Sequence, residues 1–270
     1  MTDFVSYPFG APCWVETLQP DPDAAVAFFS DLLGWTFDEG GPNGYRVARL
    51  DGRRVAGIRQ APAMLDRGAW VTYVLVADLD RTVAAVREAG GEVLFAPLED
   101  GHSDRTALFT DPSGAAFGAR QGSSPTVAER VDAPNAWQMS ALHTSGLSNA
   151  GIFYNKIFGW RLEPQPHSEV SLWRLKGSTR RAADSTLPDD VVAVAVAVAA
   201  NAAPVPVPAA PAYWAVNIQA SNADDLAARA VELGGTVLMP PADAPDFRNA
   251  LLADPSGGVL AISQVRKPSA

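Results

Sequence analysis

Residues 106–121, TALFTDPSGAAFGARQ, recur near the other end of the sequence as residues 249–264, NALLADPSGGVLAISQ. In both copies Asp-Pro-Ser-Gly places Asp first, Pro second and Gly last in a four-residue turn, which is the pattern of a type I turn. Apolar residues flank each turn, so each copy predicts two strands joined by a tight hairpin. The recurrence indicates that the chain is a duplication of one unit.

Length and composition agree with two soluble domains. The chain has 270 residues, of which 47% are hydrophobic and 19% charged, enough to build two ordinary cores. A formal charge of −9 argues against nucleic acid or an anionic membrane surface as a partner, because both attract basic surfaces. The opening MTDFVSYPFG lacks the basic and apolar regions of a signal peptide, so a cytoplasmic location is expected.

The sequence lacks the signals that mark several classes of protein. Cys13 is the single cysteine, which excludes an internal disulfide and a thiolate metal cluster, and we expect it to be a small core residue. The sequence has no Gly-rich phosphate loop, no Gly-x-Ser-x-Gly elbow and no nucleotide fingerprint. Nucleotide-dependent enzymes and serine hydrolases therefore have no support.

The order of predicted elements also repeats. The first half predicts a strand, a helix ending at Gly34, two strands, then a strand, a helix and three strands. Phe28-Phe29 and Gly34-Trp35 return as Phe153-Tyr154 and Gly159-Trp160. The pattern predicts a first domain at 1–122, a linker at 123–134 and a second domain at 135–270. Within the second, residues 191–200 predict a buried strand, and the following Pro-Val-Pro-Val-Pro predicts a loop.

At this level the chain resembles the vicinal oxygen chelate superfamily, also called the glyoxalase/bleomycin-resistance/dioxygenase superfamily. The likeness rests on residues 24–29 (AAVAFF), 33–35 (LGW), 70–78 (WVTYVLVAD), 89–91 (AGG) and 111–115 (DPSGA). It implies an α+β fold of tandem glyoxalase-like domains, in which four βαβββ-type modules form two cup-shaped mixed β-sheets flanked by helices. Some members hold a divalent metal in the cup, whereas others bind a ligand without one. Whether modules pair within or across the halves stays open.

The resemblance also implies three metal-ligand positions in each cup. They fall on Trp14, Trp70 and Gly118 in the first half and on Met139, Trp214 and Ala261 in the second. None of these side chains is a usual metal ligand. The three histidines, His102, His143 and His167, are predicted to lie in loops. We therefore predict no metal and no cofactor.

Two residues are candidates for acid–base catalysis. Glu16 follows Trp14 by two residues and shares its face of the strand, so it would enter the cup, where burial suits a carboxylate to proton abstraction. An exposed carboxylate at the strand end is the alternative. His102 lies near Asp104 in a predicted loop and could relay a proton, although a solvated turn is the alternative.

Large side chains at cup positions predict a ligand site. The candidates are Trp14, Tyr45, Trp70, Tyr73, Phe117, Met139, Trp173, Trp214 and Asn217. Flat aromatic surfaces suit stacking on an aromatic ligand, whereas the alternative is that Trp70 and Trp214 only fill the cup. The two halves have unequal linings, which indicates one functional pocket and one degenerate pocket.

The predicted function is metal-independent binding of a small apolar or aromatic molecule, such as an antibiotic or secondary metabolite, for sequestration or biosynthetic handling. The alternative is an enzyme of the same fold. It would be an isomerase, cyclase or lyase with Glu16 or His102 as base, or a metal enzyme with displaced ligands. A third alternative is an interaction module whose cups are both filled. The expected partner is a small molecule, and a homodimer stays open.

Overall fold

The computed structural model describes residues 7–41, 44–63, 65–99, 104–122, 126–177, 188–198 and 212–266, which form sixteen strands and four helices. The first half contains β1 (Pro12–Gln19), α1 (Pro22–Leu33), β2 (Thr36–Phe37), β3 (Arg46–Leu50), β4 (Arg53–Gln60), β5 (Ala69–Leu75), α2 (Leu79–Glu88), β6 (Glu92–Glu99), β7 (Asp104–Thr110) and β8 (Ala116–Gly122). The second half contains β9 (Trp137–Thr144), α3 (Leu147–Phe158), β10 (Arg161–Pro164), β11 (Val170–Arg174), β12 (Val191–Ala197), β13 (Ala212–Gln219), α4 (Ala223–Glu232), β14 (Thr236–Asp243), β15 (Phe247–Ala253) and β16 (Val259–Val265).

Each half builds its own eight-stranded sheet, and the two sheets have the same strand order. The first runs β2-β3-β4-β1-β5-β8-β7-β6 and the second β10-β11-β12-β9-β13-β16-β15-β14. The two modules of a half meet where β1 pairs antiparallel with β5, and where β9 pairs antiparallel with β13. Modules therefore pair within a half, and the predicted α+β class with two mixed sheets is confirmed.

The first helix begins and ends where its sequence predicts. Asp21 caps α1, because its Oδ1 accepts hydrogen bonds from the backbone N–H groups of Asp23 at 3.1 Å and Ala24 at 3.0 Å. Gly34 ends the helix with a φ of 69°, a left-handed conformation that glycine adopts without a steric penalty.

The duplicated Asp-Pro-Ser-Gly turns have the predicted geometry and also join the halves. The N–H of Gly114 donates to the backbone carbonyl of Asp111 at 2.9 Å, closing the turn. The side chain of Asp111 also makes a contact, because its carboxylate oxygen Oδ2 accepts a hydrogen bond from the Tyr154 hydroxyl of α3 at 3.1 Å. In the second turn Asp254 Oδ2 accepts from Gln19 Nε2 at 2.6 Å. Each turn therefore binds the opposite half of the chain.

The helices of each half cover one face of its sheet. Phe29 of α1 packs edge-on against Trp70 of β5, with ring centroids 5.5 Å apart. Tyr154 of α3 packs in the same way on Trp214 of β13 at 5.6 Å. Since side chains alternate along a strand, the neighbours of these tryptophans point to the opposite face.

The two helix-covered faces pack against each other. Thr72 Oγ1 of β5 and Ser140 Oγ of β9 lie 2.6 Å apart across this contact, and Phe28 of α1 and Ala227 of α4 belong to one buried apolar cluster. We call the opposite faces the first cup and the second cup. The first cup is the face of Trp14, Glu16 and Tyr73, and the second is the face of Met139, Ala141 and Asn217.

The predicted Val/Ala strand of the second half is β12, which is mostly buried. The Pro-Val-Pro-Val-Pro segment at residues 204–208 lies outside the described residues. Part of the predicted linker is described, and it contacts the first sheet. The N–H of Ala128 donates a hydrogen bond to the carbonyl of Cys13 in β1 at 2.9 Å. In the described parts of the chain, no helix is long and apolar enough to cross a membrane.

Candidate functional site

The first cup is centred on Glu16, which β1 holds between β4 and β5. Glu16 pairs with Gly57 on one side and Val71 on the other, and it is 0% exposed. Its Oε1 accepts hydrogen bonds from the Tyr73 hydroxyl at 2.6 Å and from Arg59 Nε at 3.1 Å. The carboxylate is thus buried on the cup face and held by a phenol and a guanidinium, and it is not an exposed strand end.

A second ion pair lies beside it. Arg120 of β8 is fully buried, and its Nη1 donates to Asp104 Oδ2 at 2.8 Å, while its Nη2 lies 4.0 Å from Glu16 Oε2. The guanidinium carbon also lies 5.8 Å from the ring centroid of Trp14 and 5.4 Å from that of Tyr73. Two buried carboxylates and two arginines therefore share the first cup with aromatic rings, so each charge has an opposite charge nearby, while Glu16 Oε2 and Arg59 Nη2 have no hydrogen-bond partner among the described residues.

The phenols of the first cup are held neutral. Burial raises the pKa of Tyr73 well above its ordinary value, and the charge of Glu16 raises it further. Burial also raises the pKa of Tyr45, whose hydroxyl accepts a hydrogen bond from Trp14 Nε1 at 2.9 Å. These tyrosines act as hydrogen-bonding groups rather than as phenolate bases.

Two glycines allow the rings to fill the first cup. A Cβ on Gly57 would overlap the Tyr45 hydroxyl, and a Cβ on Gly118 would overlap the Tyr73 ring. Tyr45 is 2% exposed and Tyr73 is 1% exposed. The first cup is therefore closed by its own side chains.

The second cup has small or apolar residues at the equivalent positions. Strand register matches Glu16, Gly57 and Arg59 of the first cup with Ala141, Val194 and Val196, and it matches Tyr73, Gly118 and Arg120 with Asn217, Ala261 and Ser263. Ala141, Val194, Val196, Asn217 and Ala261 are all partly exposed, and Ser263 is buried. The second cup is therefore more open than the first in the described residues, and its lining carries no charge at these positions.

A short hydrogen-bonded chain crosses the floor of the second cup. Asn217 Nδ2 donates to Ser263 Oγ at 2.7 Å, and Ser263 Oγ donates to Asn249 Oδ1 at 2.6 Å. Asn217 Oδ1 is buried and has no hydrogen-bond partner within the described parts of the chain. The floor thus offers one polar atom in an otherwise apolar lining.

His143 lies at the rim of the second cup, and the prediction that it lies in a loop is wrong. It belongs to β9, opposite Tyr213 of β13, and the two rings stack with centroids 4.7 Å apart and planes 2° from parallel. The strand continues to Thr144 because the turn-forming residues come only after it. Burial lowers the pKa of His143 to about 4, so the imidazole is neutral at pH 7.

Five of the predicted ligand-binding residues face a cup. Trp14, Tyr45 and Tyr73 lie in the closed first cup, whereas Met139 and Asn217 lie in the second. Met139 also borders a small surface cleft, whose lining combines residues of β9 and β12 with residues near the start of the first half. Ala141 and Asn217 are not among its lining residues, so the cleft lies beside the second cup and not in it.

The other four predicted ligand-binding residues lie on the helix-covered faces, which corrects their prediction. Trp70 pairs with Thr17 and packs on Phe29. Trp173, Trp214 and Phe117 all pack against Tyr154 of α3, with ring centroids 5.5, 5.6 and 5.6 Å away. The reason is the two-residue period of a strand: Trp70 is three positions from Tyr73 and so points to the other face.

Arg59 and Arg120 belong to the first cup but were not among the residues predicted from the sequence. Arg59 is two residues after Gly57, and Arg120 is two residues after Gly118, so each shares a face with a glycine on the cup. Alternation counted from the glycines could have found both arginines. His102, the second predicted base, lies outside the described residues.

The residues of neither cup fit a divalent metal. In the first cup the central strand presents Val71 rather than Trp70, beside Trp14 and Gly118, and both carboxylates are bound by arginines. The positive charge of Arg120 near Glu16 Oε2 opposes a cation there. In the second cup the equivalent positions are Met139, Ala215 and Ala261. Across the described ranges, no group of three or more His, Cys, Asp or Glu could hold a metal ion.

Comparison with known proteins identifies the fold. A family model for the Glyoxalase/Bleomycin resistance protein/Dioxygenase superfamily matches residues 14–118, and one for a Glyoxalase-like domain matches residues 139–263. The chain therefore belongs to the glyoxalase/bleomycin resistance protein/dioxygenase superfamily, with two such domains in tandem.

Individual relatives cover nearly the whole chain. Anthracycline biosynthesis protein DnrV of Streptomyces peucetius is 31% identical over 96% of this chain and 94% of its own. CFP32 of Mycobacterium tuberculosis, named as a candidate glyoxylase, is 31% identical over 95% of both chains. The crystal structure of a Mn(II)-bound glyoxalase from Novosphingobium aromaticivorans has a TM-score of 0.62 at 18% identity, covering 96% of this chain and 83% of its own. At that identity the last likeness concerns the fold alone.

Proposed function

We propose that the second cup binds a small, largely apolar aromatic molecule without a metal, and that the protein handles this molecule in secondary metabolism. The observation that carries the proposal is the contrast between equivalent positions. Glu16 and Tyr73 are buried in the first cup, whereas Ala141 and Asn217 are partly exposed in the second. An open concave face lined by apolar groups with a few polar ones is typical of small-molecule sites.

The relatives suggest the class of molecule. A protein of anthracycline biosynthesis is similar over almost the full length of this chain. Anthracyclines are flat, fused-ring aromatics, and such rings suit a lining of small apolar side chains with the stacked pair of His143 and Tyr213 at its rim. We therefore assign the polycyclic aromatic class to the second cup.

The test is a calorimetric titration of the purified full-length protein with an anthracycline. Ala141→Phe places a large side chain in the second cup and is expected to weaken binding by about tenfold or more. Ala228→Phe is the matched control, because Ala228 is exposed on α4, away from both cups. Equal binding by wild type and Ala141→Phe, or no binding by wild type, would contradict the proposal.

Metal independence is tested separately. Elemental analysis after expression in metal-supplemented medium should find no stoichiometric divalent ion, and a chelator should leave ligand binding unchanged. A bound ion whose removal abolishes binding would contradict this part of the proposal, and would revive a metal enzyme with displaced ligands.

Glu16 has a structural role in this proposal rather than that of a base. Its Oε1 is already bound by Tyr73 and Arg59, and the side chain has no exposed surface. A general base needs hydrogen-bonding reach to the substrate proton, which this packing denies. Glu16→Gln should consequently leave binding in the second cup within about twofold of wild type in whatever fraction of the protein folds.

A further inference from the structure

Asn217 is the polar group at the centre of the second cup. It pairs with Met139 of β9 and with Ala261 of β16, so its side chain lies on the cup face between an apolar and a small residue. Its Oδ1 is buried without a hydrogen-bond partner in the described ranges. A buried carbonyl oxygen without a donor costs free energy, so a ligand or water that donates a hydrogen bond to it would be favoured.

The hydrogen bonds around Asn217 engage the nitrogen end of its amide. Ser263 has a single hydroxyl hydrogen, which it donates to Asn249 Oδ1 at 2.6 Å. Its oxygen accepts from Asn217 Nδ2 at 2.7 Å. In this row of hydrogen bonds the amide nitrogen of Asn217 is the donor, and its carbonyl oxygen stays available to accept a hydrogen bond.

In the closed first cup, the position equivalent to Asn217 is occupied by Tyr73. The Tyr73 hydroxyl donates a hydrogen bond to Glu16 Oε1 at 2.6 Å. In the second cup Ala141 stands at the position of Glu16, so no side chain comes from that position to Asn217. Asn217 therefore has no counterpart of the Tyr73–Glu16 hydrogen bond, and both Ala141 and Asn217 are partly exposed.

We propose that Asn217 Oδ1 accepts a hydrogen bond from a hydroxyl group on the aromatic ligand of the second cup. This inference rests on the proposed function and narrows it to aromatic molecules that carry a phenolic or alcoholic hydroxyl. Ser263 is a positioning residue, because it holds the Asn217 amide in the orientation that presents the carbonyl oxygen. Asn249 completes the chain at the exposed end.

The experiment uses two probes that differ by one hydrogen-bond donor: a hydroxyanthraquinone with its hydroxyl remote from the ring carbonyls, and the methyl ether of the same compound. Wild-type protein is expected to bind the hydroxyl compound about tenfold more tightly than the ether, the effect of one buried hydrogen bond. Asn217→Leu should bind both probes equally, because the acceptor that distinguishes them is gone. Ser263→Ala should reduce the discrimination while preserving the fold, and so serves if Asn217→Leu does not fold.

The outcomes separate this inference from the function on which it rests. Equal wild-type binding of both probes overturns the role of Asn217 and leaves the second cup as an aromatic site. Undiminished discrimination in both variants also overturns it. No binding of either probe contradicts the proposed function and, with it, this inference.

Discussion

Glu16 and Ala141 occupy the same position in the two sheets, and their neighbours differ with them. The carboxylate of Glu16 binds Tyr73 and Arg59, and Arg120 lies beside it, so four large side chains fill the first cup. Ala141 offers no such partner, and its cup stays open. A buried charge needs several compensating groups, whereas a methyl group needs none.

Glu16→Gln is expected to lower the free energy of unfolding by about 3 kcal/mol, because it leaves Arg59 and Arg120 with one fewer buried counter-charge. Glu163→Gln is the matched control. Its carboxylate pairs with Arg174 at 2.7 Å, but 52% of its side-chain surface is exposed, so solvent screens the pair and the loss should be much smaller than for Glu16→Gln. Urea unfolding measures both. Equal losses in the two variants would show that the buried network is unimportant for stability.

His143 predicts a pH dependence of stability. Burial lowers its pKa from 6.5 to about 4, so below pH 6.5 the unfolded chain binds a proton that the folded chain takes up only near pH 4. Stability that is fully present above pH 6.5 is therefore lost as the pH falls through this window, by about 2 kcal/mol after allowance for partial exposure.

The control for this prediction is His143→Gln, whose unfolding free energy should depend less on pH between 7 and 4.5. Asp111 and Asp254, whose pKa values burial raises, are present in both proteins, so their effects cancel in the comparison. Identical pH dependence in wild type and variant would contradict the role of His143.

At this scale the sequence predicts which residue types matter but not always where they point. Glu16 follows from alternation, since it is two residues from Trp14 on the same strand. Trp70 does not, because its aromatic size suggested a cup position while its spacing from Tyr73 places it under α1. Alternation along β5 separates Trp70 from Tyr73, but which of the two faces the helix depends on the long-range packing of β5 on α1, which no local pattern specifies.

Among the elements, α1 and α3 are equivalent helices with different caps. Asp21 Oδ1 accepts two backbone hydrogen bonds at the start of α1. Gly146 stands at the same place before α3 and provides no side-chain hydrogen bond. Both helices end at a left-handed glycine, Gly34 or Gly159.

Asp21→Ala should destabilise the protein by about 1 kcal/mol, because two N–H groups lose their acceptor. Gly146→Ser should stabilise it by a few tenths of a kcal/mol, since a Cβ there has no neighbour nearer than 3.7 Å. Thermal and urea unfolding of the two variants provide the measurement. If Asp21→Ala unfolds like wild type, the cap contributes nothing.

Most helices and strands could be predicted because their signals are local. Caps, left-handed glycines and the repeated Asp-Pro-Ser-Gly turns each depend on residues close in sequence. His143 was misplaced because its strand carries polar residues at several positions, which obscures the apolar alternation that marks a half-buried strand.

Across the whole molecule, the two halves share their buried contacts. Tyr154 of the second half donates a hydrogen bond to Asp111 of the first at 3.1 Å and accepts one from Trp214 at 2.8 Å. The apolar cluster under α1 also contains residues of β13, α4 and β16. Separating the two halves would therefore remove buried contacts from both of them.

Tyr154→Phe is therefore expected to lower the stability of both halves together, by about 1–3 kcal/mol, because it leaves the Trp214 N–H buried without an acceptor. Tyr213→Phe is the control at a partly exposed ring, with an effect within about 0.5 kcal/mol. Tryptophan fluorescence and far-UV circular dichroism should report one coincident urea transition in each protein. Two separated transitions would contradict coupling between the halves.

We propose that, of the two cups, only the second binds a ligand. A crystal structure of the full-length protein with a bound hydroxyanthraquinone tests it most directly, because both cups are present in one molecule. We expect one ligand per chain, lying among β9, β13 and β16, with the Glu16 network of the first cup intact. A ligand in the first cup that displaces Tyr73 or Arg120, or ligands in both cups, would contradict it.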